Sequence, residues 1–190
     1  MTRELIRETI RSKRENISVI HAAELSARIA EKVLAMPEYR QARTVLGYAS
    51  LLSEVRTESL NARVLADGKR LLLPKTKGGG LMDAVQVTDL GLLRPGRMQI
   101  PELESGEGVD PEQIDLVLVP LTAFDADCHR IGMGGGFYDR FLTHYRSSMV
   151  LVCRERLIRD EIPLEPHDYP IPWVLTERGL YEDGIPAQLG

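Results

Sequence analysis

Cysteine is nearly missing from this chain. Cys128 and Cys153 are too few for a disulfide framework and lack the paired spacing of a zinc site. Long apolar runs are missing as well. None approaches the roughly 20 residues that span a bilayer, and the opening MTRELIRETIRSKRE has no apolar core of a secretory signal. Nor is there a basic surplus. Lys and Arg number 24 against 28 Asp and Glu, a formal charge of −4, which argues against nucleic acid because binding a phosphate backbone draws on excess cations. Internal repeats, low-complexity tracts and linkers long enough to divide the chain are also lacking. What is there is 190 residues, 43 % hydrophobic and 27 % charged, an ordinary globular composition able to build a core without staples. The expectation is a single cytoplasmic domain over residues 1–190, a monomer or weak homodimer without membrane or nucleic-acid partners.

Residues 3–15 read as a helix that sets Arg3, Arg7, Arg11 and Arg14 along one stripe, with Leu5, Ile6 and Ile10 on a partly apolar side. Two readings of the stripe stay open: a solvated basic face, or an arm whose guanidiniums reach phosphate oxygens. Ser18 is placed to cap a second helix over 18–36, with Ile20, Leu25, Ile29, Val33 and Leu34 on its buried face and Pro37 as its stop. Strands and helices then alternate: strand 44–49, helix 57–66, strand 70–74, a basic Gly-rich loop 75–80 and strand 81–87. Residues 94–113 read as irregular and acid-biased. DLVLVP (115–120), MVLVC (149–153) and WVLT (173–176) are near-continuous apolar strands, as expected when helices cover both faces of a parallel sheet. The fold class is therefore α/β: a layered, largely parallel sheet flanked by helices, Rossmann-like.

The stretch that carries chemistry is Leu118–Leu142, LVPLTAFDADCHRIGMGGGFYDRFL. It starts at the carboxyl end of a buried strand, where open α/β sheets hold their ligands. Arg130 and then Gly132, Gly134, Gly135 and Gly136 follow, before FYDRFLTHY resumes as a helix. Glycines let the backbone approach a bulky anion, and consecutive N–H groups can point at phosphate oxygens. The next helix adds its positive end, and Arg130 a charge-assisted fork. The spacing is neither that of the dinucleotide fingerprint nor that of the Walker loop, which needs Lys-Ser/Thr after its last glycine. A Gly-rich turn before a helix is the plain alternative. His21, His129, His144 and His167 show no metal-ligand spacing with cysteine, and neither cysteine has a paired base within sequence reach.

Taken whole, the stretch strongly resembles the ATP-binding signature of the 5-formyltetrahydrofolate cyclo-ligase family, approximately F-D-x-x-G-x-R-L-G-x-G-x-G-x-Y-D-R. Phe124-Asp125, Arg130-Ile131-Gly132, Gly134, Gly136 and Tyr138-Asp139-Arg140 supply it here. Tyr48-Ala49-Ser50 with Glu54-Val55 and Thr57 is similar to the family's strand-end segment. Met98-Gln99-Ile100-Pro101-Glu102 resembles its Ile-Pro-Glu turn. Ile162-Pro163, Glu165-Pro166-His167-Asp168, Thr176-Glu177 and Tyr181 follow its C-terminal pattern. The resemblance thus runs in order along essentially the whole chain.

The resemblance implies ATP-dependent cyclisation of 5-formyltetrahydrofolate to 5,10-methenyltetrahydrofolate, with ATP as co-substrate and Mg²⁺ as cofactor. On that footing Arg3, Arg7, Arg130, Ile131, Gly132, Met133, Gly134, Gly135, Gly136, Phe137 and Tyr138 bind the nucleotide. Ala49, Glu54, Met133 and Phe137 bind the reduced folate, Arg130 and Glu54 are the catalytic pair, and Asp139 and Asp168 hold the metal. A non-catalytic module for a phosphorylated metabolite is the alternative on a related α/β fold, and a different ATP-dependent folate or nucleotide enzyme is another. Four departures stand out. Arg3 replaces the family's Lys, Arg56 an acidic residue and Leu157 a frequent Gln, while Cys128 stands at a usual Gly. A turn that needs positive φ there is strained by cysteine.

Overall fold

The structure is a computed structural model that describes residues 2–15, 17–51, 54–96, 99–182 and 185–187. Met98 and the Arg14 side chain, both singled out above, lie outside the described residues.

The continuous apolar runs become the middle of one sheet. β1 (Thr44–Leu46), β2 (Arg70–Thr76), β6 (Leu116–Pro120), β9 (Ser148–Val152) and β11 (Trp173–Leu175) pair in parallel, in the order β2-β1-β6-β9-β11. β3 (Met82–Val87) closes one edge antiparallel to β2; β12 (Leu180–Glu182) and β13 (Ile185–Ala187) close the other, completing eight strands. Alternation along the strands divides the core. Leu46, Leu72, Val117, Val119, Leu151 and Val174 enter one cluster, while Val45, Leu71, Leu116, Leu118, Val150 and Leu175 enter the other.

Helices cover both faces. α1 (Arg3–Glu15) lays Ile6 and Ile10 into the first cluster, joined by Phe141 and Leu142 of α5 (Phe137–Leu142). α2 (Val19–Ala35), α3 (Pro37–Gln41) and α4 (Glu58–Ala66) serve the second, through Ile29, Val33, Tyr39, Leu60 and Val64. Ser18 caps α2, its hydroxyl accepting from the His21 N–H at 3.2 Å, and the helix ends before Pro37 as its sequence requires. Exposed Ile20 is an exception to the buried face read for this helix.

Some boundaries move, for local reasons. The expected strand 44–49 ends at Leu46, although the Gly47 N–H still meets the Leu72 carbonyl at 3.0 Å. Beyond it the Tyr48 carbonyl turns away to accept from Thr57 Oγ1 and Asn61 Nδ2, which tie the start of α4 to the end of β1. β2 runs on to Thr76, into the expected loop, because β3 pairs with it as far as Met82. The acid-biased segment 94–113 contains β4 (Arg94–Pro95) and β5 (Pro101–Glu102), and the Glu102 carboxylate accepts from the Thr76 N–H and hydroxyl at 3.1 Å. A small second sheet joins β7 (Ala123–Asp125), β8 (Arg130–Ile131) and β10 (Ile158–Arg159), with β10 parallel and β8 antiparallel to β7.

Among the described residues no helix is long and apolar enough to cross a membrane.

Candidate active site

β1 sits at the topological switch. The chain leaves it through α4 to β2 on one side, then returns as β6 on the other. In such sheets the ligand crevice lies outside the carboxyl ends of the strands at that point. Here Tyr48 and Glu54 follow β1, Pro120 ends β6 with Leu121 behind it, and Cys153 and Arg154 follow β9. All six line one narrow cavity of about 10 Å³, room for roughly one water.

Beside the crevice, β7 and β8 present the glycine turn. Their connection is organised by Asp125, 1 % exposed, whose carboxylate accepts from the N–H groups of Asp127, His129 and Ile162. His129 Nδ1 is 3.1 Å from the same carboxylate. Cys128, buried in this turn, has φ 61°, the left-handed conformation its position foreshadowed. After Arg130 and Ile131 the chain passes Gly134 at φ 94° and Gly136 at φ 64°. A Cβ on Gly135 would come within 2.6 Å of the Phe137 ring. Arg140 Nη1 closes the turn, donating to the carbonyls of Gly135 at 2.8 Å and Gly80 at 3.1 Å, and so joins the two Gly-rich loops. The helix that follows is shorter than expected. With six residues, α5 has little macrodipole to offer, and the cradle rests on the turn's own N–H groups and the arginines.

The structure gathers the arginines here. Arg7 Nε donates to the Gly132 carbonyl at 3.1 Å. Arg130, 6 % exposed, donates through Nη2 to Asp139 Oδ1 at 2.5 Å, and the Tyr169 N–H shares that oxygen at 3.2 Å. Arg3 grips Asp168 with both terminal nitrogens, at 2.7 and 3.1 Å, across 165 residues of sequence. Desolvation pushes the Asp168 carboxyl upward, but the Arg3 hydrogen bond and the Glu165 N–H outweigh it and hold it below the ordinary carboxylate value. In this cluster the Nε of Arg3, the Nε of Arg130 and the hydroxyl of Tyr138 are buried with no hydrogen-bond partner among the described residues. Burial, with the nearby charge of Glu54 next, pushes that hydroxyl far above the ordinary tyrosine value, while Arg130 opposes it. Tyr138 thus lies within electrostatic reach of both the arginine cluster and the crevice. Unpartnered buried donors beside a glycine turn suit an incoming phosphate.

The carboxylates fit a hard cation unequally. Asp139 has one oxygen committed and none of the described residues bonding the other, which suits a metal that keeps waters and takes one or two carboxylates. Asp168 has both oxygens on Arg3 and must exchange that partner before it can bind an ion. Ligand atoms of Glu165, His167 and Asp168 lie within 4.8 Å of one another, so His167, set aside from sequence, stands with the Asp168 carboxylate.

Other expected residues separate. Ile131 is fully buried in the core and its carbonyl accepts from the Thr122 N–H at 2.7 Å. Met133 is exposed at the tip of the turn, Phe137 is half-buried against the core, and Ala49 packs half-buried on the opposite cluster. Arg11 is exposed. Glu54 is buried in the crevice, its Oε2 accepting from the Leu51 N–H at 2.9 Å. Sequence reasoning missed Arg154, whose Nη2 donates to the Glu54 carbonyl and which is among the largest fully buried side chains. Its signal was a cation directly behind a buried parallel strand, at the edge where ligands bind.

A doubly wound sheet with an arginine-flanked glycine turn beside its switch-point crevice defines a phosphate-handling α/β protein. The comparisons make the class specific. The model of the 5-formyltetrahydrofolate cyclo-ligase family matches residues 1–177. A 5-formyltetrahydrofolate cyclo-ligase of Escherichia coli is 29 % identical over 180 residues, covering 91 % of this chain and 99 % of that protein. One from Mycolicibacterium smegmatis is 35 % identical over 150 residues, covering 73 % and 76 %. The solution structure of Aquifex aeolicus 5,10-methenyltetrahydrofolate synthetase superposes with a TM-score of 0.85 at 29 % identity, over 100 % of this chain and 97 % of that one. The chain belongs to the 5-formyltetrahydrofolate cyclo-ligase family, and it is a ligase.

Proposed function

We propose that this ligase uses ATP to close 5-formyltetrahydrofolate into 5,10-methenyltetrahydrofolate, binding the triphosphate at the glycine turn and the folate at the crevice of Glu54. The observation that carries the reading is the convergence of Arg3, Arg7, Arg130 and the Tyr138 hydroxyl around that turn, with unpartnered donors buried among them.

The chemistry explains why a phosphate cradle belongs beside a folate crevice. The formyl group is an amide, and its oxygen cannot leave as hydroxide at a useful rate. Attack of that oxygen on the γ-phosphorus forms an O–P bond as the bond to ADP breaks. The resulting imidate-like phosphate carries an electrophilic carbon. The folate's second nitrogen attacks it, the ring closes, phosphate departs with the C–O bonding pair, and the nitrogen's proton is lost. Phosphoryl transfer of this kind depends chiefly on alignment and charge neutralisation. Arg130 and Arg7 hold the phosphates in line, and Arg3 joins them on leaving Asp168. Glu54 orients the folate, and Phe137 and Met133 wall the bound ligands. Asp139, with Asp168 once freed, would hold a Mg²⁺ ion, which would supply further neutralisation of phosphate charge.

The test is to mix purified protein with 5-formyltetrahydrofolate, ATP and Mg²⁺ and follow methenyl absorbance. An ATP-dependent rise is expected, and Asp139→Ala should lower it by about 100-fold or more, measured below a melting temperature that the loss of Arg130's partner will itself reduce. No product at generous enzyme concentration overturns the reading; a fully active Asp139→Ala overturns the metal role.

A further inference from the structure

We propose that Arg154 is a positioning residue for the folate substrate: from the carboxyl end of β9 it fixes the Glu54 segment across the switch-point crevice. The proposal rests on the reading that Glu54 meets the folate.

Its basis begins in the local sequence, VLVCRERL. The strand ends at Val152, and the Cys153 N–H still bonds the Leu175 carbonyl at 3.1 Å, so the backbone holds sheet geometry up to Arg154. A tight turn follows at once, with the Leu157 N–H returning to the Arg154 carbonyl at 3.0 Å. Strand and turn together hold the guanidinium at the crevice, where it is 2 % exposed. Burying a guanidinium is costly unless acceptors meet its protons, and the acceptor from the facing loop is the Glu54 carbonyl, 100 residues away in sequence.

That carbonyl is the pivot of the segment. The residues around it in the chain are already tied down. The Tyr48 hydroxyl donates to the Val55 carbonyl at 3.2 Å, the Arg56 N–H to Ser26 Oγ at 3.0 Å, and the Thr57 N–H to Ser50 Oγ at 3.2 Å. The Glu54 carboxylate and N–H both return to Leu51, at 2.9 Å each, so the carboxylate's direction follows the backbone of this turn. Arg154 ties that turn to the sheet. Its charge also acts on the buried Tyr48 hydroxyl in the sense opposite to that of Glu54, so the cation and the carboxylate share one pocket. A permanently charged, planar donor is suited to this, where lysine offers a more mobile point charge.

Equilibrium binding separates this role from a structural one. Calorimetry with 5-formyltetrahydrofolate alone, and with ATP·Mg alone, is run on wild type, R154M, R154K, E54Q and R154M/E54Q, with KM, kcat and melting temperature alongside. R154M should weaken folate binding at least ten-fold and raise the folate KM, leaving ATP affinity within two-fold. R154K should recover part of the loss. The double variant should bind folate no more weakly than E54Q alone, because the two residues act through one another. Folate binding by R154M within two-fold of wild type overturns the proposal; so does a parallel loss of folate and ATP binding. If R154M does not fold, R154K decides: at least three-fold weaker folate binding with ATP unchanged supports the proposal, and unchanged binding refutes it. Normal folate binding by E54Q overturns the role of Glu54 in folate binding, and the Arg154 role with it. Normal binding by E54Q and loss of turnover in wild type are separate results, so the two failures are told apart.

Discussion

Cys128 shows how a single residue can carry a conformational cost in the turn that leads to the candidate site. Its φ of 61° places an L side chain where the Cβ crowds the following carbonyl, at roughly 1–2 kcal/mol. The turn nevertheless keeps this shape because Asp125 fixes the N–H groups on both sides of it, and the Cys128 N–H returns to the Asp125 carbonyl at 3.1 Å. The buried thiol offsets part of the cost by filling the core beside Phe124 and Tyr181. Two substitutions separate the terms. Cys128→Ala and Cys128→Gly both lose the sulfur, but only glycine escapes the backbone strain. Cys128→Gly should therefore be the more stable of the two by about 1 kcal/mol, read from denaturant midpoints. The reverse order would mean that the turn is not held left-handed in solution.

At the scale of elements, α1 matters because it carries Arg3 and Arg7 of the candidate site on a helix anchored by two apolar residues. Ile6 and Ile10, 1 % and 0 % exposed, are what dock it. Ile10→Ala leaves a cavity under the helix and should cost about 2–4 kcal/mol. Because Arg3 and Arg7 depend on that seat, the KM for ATP should rise more than the folate KM, as steady-state kinetics will show. Equal changes would detach the helix from nucleotide binding. The docking was legible from the sequence in part. Ile6 and Ile10 fall four residues apart on one face, and Arg3 and Arg7 share a stripe; what was hidden is that the stripe ends in a bidentate pair with Asp168, 165 residues away. The same division holds elsewhere. LVLVP, MVLV and WVL disclose buried strands because a strand covered on both faces must be apolar throughout. β7, β8 and β10 are two or three residues long and owe their pairing to distant partners, such as Ile158 with Phe124, so no local pattern marks them. The glycine turn was readable because backbone freedom is a local property. Arg154 was readable only in its place behind a buried strand, since a cation there looks the same in sequence whether solvated or buried.

Across the whole molecule, a net charge of −4 conceals a site assembled from paired opposites, Arg3 with Asp168 and Arg130 with Asp139. The first pair joins the beginning of the chain to its C-terminal region, and its side chains are 8 % and 9 % exposed. Removing Asp168 leaves the buried Arg3 charge with only the half-exposed Glu165 carboxylate, 3.2 Å away, so the cost should fall below the about 3–5 kcal/mol typical of a fully uncompensated buried charge. Asp168→Asn should therefore destabilise at neutral pH, and the size of the effect should depend on pH in a defined direction. The folded carboxyl lies below its ordinary value: desolvation raises it, and the Arg3 and Glu165 hydrogen bonds lower it by more. A depressed carboxyl contributes stability that is fully present above its unfolded pKa, about 4, and is lost as pH falls through the folded value. The stability difference between wild type and Asp168→Asn should thus hold steady from pH 7 to about 5 and shrink below about 4. Denaturant unfolding at a series of pH values measures it. A difference that stays constant into the acid range would mean that the Arg3–Asp168 pair does not hold the N-terminal helix to the fold.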